Sequence, residues 1–252
     1  YCPAPFFWTN TGFGLYAATD ERTSFRFGEK AVCAELPVDC RVVLFSGMPG
    51  EIIRDYMDLF GPAKLPPKWA FGPWISANHW DSQEKVERAV AQAEEHGFPV
   101  CALVAEAWSD EATFYVFRGA RYVPKPNGGA FRLEDFDFSD SPWPDPAGMV
   151  QRLHEKGIRF LLWQIPVYKK QGPDEPLNAQ NELDQADAVA RGLCVHNADG
   201  SPYTIPEGYW FAGSMIPDFT NPAAEETWFS KRNYLTEMGI DGFKTDEIGR
   251  AS

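Results

Sequence analysis

Three short segments share one design and restrict the fold more than anything else in the sequence. In His96-Gly97-Phe98, Lys156-Gly157-Ile158 and Met238-Gly239-Ile240, the end of a helical pattern runs at once into an apolar stretch. Gly supplies the left-handed position that closes a helix. An apolar run suits a strand covered on both faces, as in a parallel sheet. Each junction has a matching start signal upstream. Asp81-Ser82-Gln83-Glu84 reads as a capping box ahead of Val86, Ala89, Val90 and Ala93. Asp145-Pro146 and Asn221-Pro222 each pair an N-cap residue with Pro at the first helical position. The strands bounded in this way are 69–76, 98–105, 158–165 and 240–245.

Alternation of strand and helix means a parallel sheet with right-handed crossovers. No G-x-G-x-x-G follows the first strand, so dinucleotide binding on an open sheet loses its main support. The long connections, 107–144 and 166–220, both follow strand C-termini. That is the side on which a (β/α)8 barrel carries its site. Four strands are half of the eight required. The expectation is an α/β chain: the first half of a (β/α)8 TIM-type barrel over residues 67–252.

Residues 1–48 differ. Phe6-Phe7-Trp8, Thr23-Ser24-Phe25-Arg26-Phe27 and Val42-Val43-Leu44-Phe45 are short β-type runs between turn residues. They read as the β-rich end of an N-terminal β-sandwich domain. Residues 49–66 form a helix and a stiff linker, with Ile52, Ile53, Tyr56 and Leu59 on one helical face and Lys64-Leu65-Pro66-Pro67 after it. The chain does not start with Met and is expected to be a segment of a larger protein.

The net charge of −13 argues against nucleic acid, which needs a basic surface, and against anionic membranes. No apolar run approaches transmembrane length. Five Cys with no C-x-x-C spacing give no disulfide framework or zinc site and favour a reducing, cytoplasmic setting. No H-x-x-H, H-E-x-x-H or G-x-S-x-G occurs among the sites a metal or serine hydrolase would use. Of the four His, His96 and His154 lie at helix C-termini, where a cation suits the dipole; His79 and His196 carry no motif.

The residues that remain for chemistry are carboxylates and aromatics. Asp246 ends the fourth strand and Glu106 the second. Either could line an active-site mouth, or cap a helix or anchor a loop. Lys244 lies two residues before Asp246, so both face the same side; Glu247, its neighbour, faces elsewhere. Trp163 lies within the third strand, as core or as a sugar platform. Trp108, Asp110 and Glu111 follow Glu106 in a polar, aromatic loop. Aromatics make up 15% of the chain, with nine Trp, which fits a large core or sugar-stacking surfaces.

These segments together resemble glycoside hydrolase family 31, the retaining α-glycosidases that include α-glucosidases and α-xylosidases. The similarity lies in Leu65-Pro66-Pro67-Lys68-Trp69-Ala70-Phe71-Gly72, in 138–157 with Trp143-Pro144-Asp145-Pro146, in Asp218-Phe219-Thr220-Asn221-Pro222, and in 239–246. The resemblance implies that Asp246 is the nucleophile. It implies that Glu106, where the family commonly has Asp, holds sugar hydroxyls, and that Trp163 and Lys244 line the pocket. Trp108 and Asp110 are further substrate-binding candidates. Lys244-Thr245-Asp246 is closer to the α-xylosidase pattern than to the α-glucosidase one. The family needs neither metal nor organic cofactor, and its partner is a carbohydrate. Its acid/base follows the nucleophile at a distance that puts it past residue 252, so the chain alone is expected to be inactive. The edge of the fourth strand is expected to favour self-association. Two alternatives remain: a catalytically silent carbohydrate-binding or scaffold domain of the same fold, and an unrelated open α/β enzyme.

Overall fold

The computed structural model describes residues 4–246. It divides into two compact units, 1–66 and 67–252.

The first unit holds five strands: β1 (Phe6–Trp8), β2 (Phe13–Ala18), β3 (Ser24–Phe27), β4 (Val32–Glu35) and β5 (Arg41–Ser46). They form an antiparallel sheet in the order β1-β2-β5 and an antiparallel pair β3-β4. Helix α1 (Pro49–Phe60) buries Ile52 completely. The Tyr56 ring stacks on Phe6, with centroids 4.0 Å apart. Glu51 accepts a 2.8 Å bond from the Met48 amide, satisfying one of the free donors at the helix start.

The second unit is built on four parallel strands in sequence order: β6 (Trp74–Ala77), β7 (Ala102–Ala105), β8 (Arg159–Gln164) and β9 (Gly242–Thr245). Ser76 pairs with Val104, Val104 with Leu161, and Leu161 with Gly242. Helix α2 (Gln83–Glu95) joins β6 to β7, and α3 (Pro146–Glu155) joins β7 to β8. Between β8 and β9 come α4 (Ala179–Arg191), α5 (Pro222–Ser230) and α6 (Asn233–Met238). All four β7 residues are buried, which is why that strand reads as one apolar run. Val86, Val90, Met149, Val150, Leu153 and Leu235 bring the helices onto the same core. At the three helix–strand junctions Gly97, Gly157 and Gly239 have φ of +64°, +75° and +107°, the left-handed conformation their sequence context requires.

The strands are shorter than the apolar runs. Residues 69–76 do not form one strand: Lys68–Phe71 is a 3₁₀ turn and β6 begins only at Trp74. Gly72 passes so close to Cys101 that a Cβ there would meet its Sγ at 2.1 Å. Pro73 has no amide to give a ladder, though its carbonyl accepts from Cys101 N at 2.9 Å. Residues 98–101 also lie outside β7; Pro99 again lacks the donor. The cap of α2 is one residue later than the capping-box reading. Ser82 Oγ accepts from Lys85 N at 3.4 Å, while Asp81 pairs with Lys85 Nζ at 2.7 Å. The long connection 166–220 is not structureless, because it contains α4. The helical stretch from Asn221 to Met238 breaks at Lys231 and Arg232, both buried.

Candidate active site

A cleft of about 430 Å³ opens where β7, β8 and β9 end. Its floor is set by strand register. Trp163 and Lys244 are paired neighbours on β8 and β9, so their side chains leave the same face of the sheet. The backbone pairing extends one step further, with Asp246 N donating to Gln164 O at 3.2 Å. That places the Asp246 side chain at the mouth. Glu106 follows the last residue of β7 and enters the cleft beside Ala107.

Two contacts organise these groups. The Trp163 indole Nε1 donates to Asp246 Oδ2 at 3.0 Å. Lys244 Nζ donates to Glu106 Oε1 at 2.8 Å, and Ser76 Oγ donates to the same oxygen at 2.5 Å. The Glu106 side chain is 13% exposed, so the ammonium and hydroxyl are needed to hold a carboxylate there. Residues 106 and 163 and the neighbouring pair 244 and 246, from three different strand ends, therefore meet in one place.

Two of the candidates lie elsewhere. Trp108 is completely buried; its Nε1 donates to the Trp163 carbonyl at 2.8 Å, and its ring packs edge-on against Phe117. It sits beneath the cleft and supports Trp163. Asp110 is turned inward too. Its Oδ1 accepts from the amides of Ala112, Thr113 and Phe114 at 3.2, 2.9 and 3.3 Å, and its Oδ2 from Asn178 Nδ2 at 2.9 Å. Burial pushes the Asp110 carboxyl up, and these bonds oppose the push. Asp110 is a loop anchor, the role its residue type always allowed. Glu247 lies outside the described residues. His154 Nε2 is 2.7 Å from Asp241 Oδ2, at the opposite end of β9 from the cleft.

Three cleft residues escaped the sequence reading or were left without a role: Asn78, Glu111 and Trp210. Trp210 belongs to Tyr209-Trp210-Phe211, an aromatic triplet between Gly208 and Gly213, and that composition was its only signal. Glu111 lies 3.6 Å from Arg118. Partial removal from water raises its carboxyl above the ordinary value, which Arg118 and Lys169 partly offset.

The lining has three carboxylates, Glu106, Glu111 and Asp246, against one ammonium, Lys244. That balance repels phosphate and carboxylate ligands. It suits a neutral polyhydroxylated one: carboxylates accept from hydroxyls, the ammonium donates, and indole faces cover C–H surfaces. Among the described residues, no group of three or more His, Cys, Asp or Glu converges as a metal would require. No described helix is long and apolar enough to cross a membrane.

Known proteins share this arrangement of chain. The profile of the glycosyl hydrolases family 31 TIM-barrel domain matches residues 63–251. An isomaltosyltransferase from Sporosarcina globispora is 37% identical over 98% of the chain, which covers 23% of that protein. A 1,3-alpha-isomaltosidase from Kribbella flavida is 34% identical over 98% of the chain and 35% of that protein. The cycloalternan-forming enzyme from Listeria monocytogenes, solved with a pentasaccharide substrate, superposes with a TM-score of 0.87 at 37% identity. The match covers 96% of this chain and 24% of that one. The chain thus spans about a quarter to a third of the length of these relatives. On the domain match and on identities above 30% along nearly its whole length, the chain belongs to glycoside hydrolase family 31.

Proposed function

We propose that the protein acts on α-linked glucosyl oligosaccharides by a retaining double displacement, with Asp246 as nucleophile and an isomaltosyl unit as donor. The observation that carries this reading is the Trp163–Asp246 hydrogen bond beside the Lys244–Glu106 pair. The first holds a carboxylate at a strand end in one orientation; the second supplies hydroxyl acceptors and donors next to it. Asp246 attacks the anomeric carbon as the bond to the leaving oxygen breaks. An acid protonates that oxygen, leaving a covalent glycosyl ester. Water, or an acceptor hydroxyl in a transfer reaction, then gives its proton to the same group and attacks the anomeric carbon. The ester bond breaks and Asp246 is restored. Two inversions give net retention, and the two carboxyl groups stand about 5–5.5 Å apart in such enzymes. We place the acid/base outside residues 4–246.

The relatives' names support one choice of sugar. Lys244-Thr245-Asp246 leans toward α-xylosidases, but the relatives at 37% and 34% identity are named for isomaltosyl units. We take a glucosyl ring at Asp246. In the wider architecture, 67–252 is read as the first half of the barrel, 1–48 as the end of an N-terminal β-sandwich, and 49–66 as the helix and linker between them.

The test is proton NMR of the complete protein acting on α-1,6- and α-1,3-linked glucosides. The α anomer of the released sugar should appear first. Early β anomer would make the enzyme inverting. Sugar binding without any turnover would instead assign the fold to a silent carbohydrate-binding domain.

A further inference from the structure

We propose that Ser76 is a positioning residue for sugar binding: by holding Oε1 of Glu106, it fixes which carboxylate oxygen a substrate hydroxyl meets. The proposal rests on the reading of the cleft as a sugar site and goes past it to a residue outside the cleft.

Strand register sets Ser76 in the layer beneath the site. Ser76 pairs with Val104, and Val104 with Leu161. Side chains two residues apart on a strand leave the same face. By that alternation Asn78 and Glu106 stand one step nearer the mouth than Ser76 and Val104, and both line the cleft. Ser76 lies outside that lining.

Two donors meet on one oxygen. Ser76 Oγ donates to Glu106 Oε1 at 2.5 Å from β6, and Lys244 Nζ donates to the same atom at 2.8 Å from β9. The shorter distance is that of a hydroxyl bonded to an ionised carboxylate. An ionised carboxylate only accepts, so the one hydroxyl hydrogen of Ser76 goes to Oε1. Among the described residues, no donor reaches Oε2. That oxygen keeps its lone pairs for a sugar hydroxyl.

The two anchors are unequal. Lys244 carries its ammonium on a flexible four-carbon stem and is 43% exposed, so it can follow the carboxylate as it turns. Ser76 has a short side chain on a strand, and its Oγ is placed by the backbone of β6. Glu106 reaches its carboxylate through three torsions, which leaves several conformers open to it. A hydroxyl fixed in the layer below selects one of them. Lys244 balances the charge of Glu106, and Ser76 chooses its orientation.

The test is steady-state kinetics of the complete protein on an aryl α-glucoside. Ser76→Ala should raise KM by about threefold to tenfold and leave kcat within about twofold. A fully buried bond to a charged group would give more, but Ser76 is exposed and water replaces part of it. Ser76→Thr keeps the hydroxyl on a side chain that suits a strand, and should return KM to within about twofold of wild type. An unchanged melting temperature shows that the variants fold. Because Ser76 acts through Glu106, adding Ser76→Ala to Glu106→Ala should change kcat/KM by less than about twofold. The proposal is overturned if Ser76→Ala leaves KM unchanged or if Ser76→Thr fails to restore it. It is also overturned if the Ser76→Ala loss persists in full beside Glu106→Ala, which would make Ser76 a direct sugar contact. In each of these cases Glu106→Ala alone still lowers kcat/KM, so the sugar site stands without a role for Ser76. If Glu106→Ala leaves kcat/KM unchanged, the sugar reading of the cleft falls, and the positioning role falls with it.

Discussion

The indole nitrogen of Trp163 stands 3.0 Å from Oδ2 of Asp246 and donates to it. The Trp163 backbone is itself held from below, because Trp108 Nε1 donates to its carbonyl. A buried tryptophan thus fixes a second one, which fixes the carboxylate. In Trp163→Phe the aromatic wall survives and the N–H is lost. We expect kcat to fall by about tenfold to a hundredfold, the scale of one missing hydrogen bond to a charged group, with KM moving much less. Steady-state kinetics on an aryl α-glucoside check this. A rise in KM alone would mean that Trp163 only binds sugar.

Lys244→Met removes the partner of a carboxylate that is mostly shielded from water. Ser76 still reaches Glu106, and Lys244 is itself 43% exposed, so the effect is moderated by solvent. The expected loss is about tenfold in kcat/KM, or ~1.4 kcal/mol, chiefly through KM. Lys244→Arg should recover part of it. Equal activity in wild type and Lys244→Met would show that the pair does not shape the sugar site.

Asp184 joins the two excursions over the site. Its oxygens accept from Lys231 Nζ, from the Tyr115 hydroxyl and from Gln180 Nε2, each at 2.7 Å. The Asp184 and Lys231 side chains are only 6% and 4% exposed. Removing one member of a buried pair strands the other, at about 3–5 kcal/mol. Lys231→Met should therefore lower the melting temperature by about 6 °C or more. The double variant Asp184→Leu/Lys231→Met should lose less than the sum of the two single changes. Additive losses in thermal denaturation would contradict the coupling.

Glu111 makes stability depend on pH in a direction that can be fixed in advance. Its carboxyl is raised above the ordinary 4.5, mainly by partial removal from water, and the shift is modest because 47% of the side chain is exposed. A folded-state pKa raised in this way favours the protonated form. The contribution to stability is complete below 4.5 and is lost as pH rises through the raised value. Glu111→Gln removes that loss. The melting temperature of the variant relative to wild type should therefore increase between about pH 4 and pH 7. A difference that stays constant or shrinks over this range would contradict it.

Much of this was written in the chain, because local chemistry decided it. Asp145 and Asn221 cap their helices through their side chains, accepting from Gly148 N and Ala223 N, as their pairing with Pro foretold. The meeting of Glu106, Lys244 and Asp246 follows from strand ends in a parallel sheet. Other features depended on packing that no periodicity reports. Helix α4 buries Gln180, Asn181 and Asp184, so its inward face is polar and gives no apolar stripe. Trp108 and Trp163 are the same residue type near the ends of adjacent strands. Only the fold turns one indole to the core and the other to Asp246. Asp110 looked like a ligand-binding acid because its three amide partners lie just downstream, where sequence cannot show that the chain curls back. Trp210 sits in a loop whose shape depends on Phe211 and Phe114.

The central claim, that Asp246 forms a covalent bond to the sugar, is tested most directly by trapping. Active complete protein is treated with a 5-fluoro-α-glucosyl fluoride, digested, and read by tandem mass spectrometry. The account predicts one fluoroglucosyl ester, on Asp246, with activity lost in step with labelling. A label on Glu106 or Glu111, or an active enzyme that never becomes labelled, would contradict it.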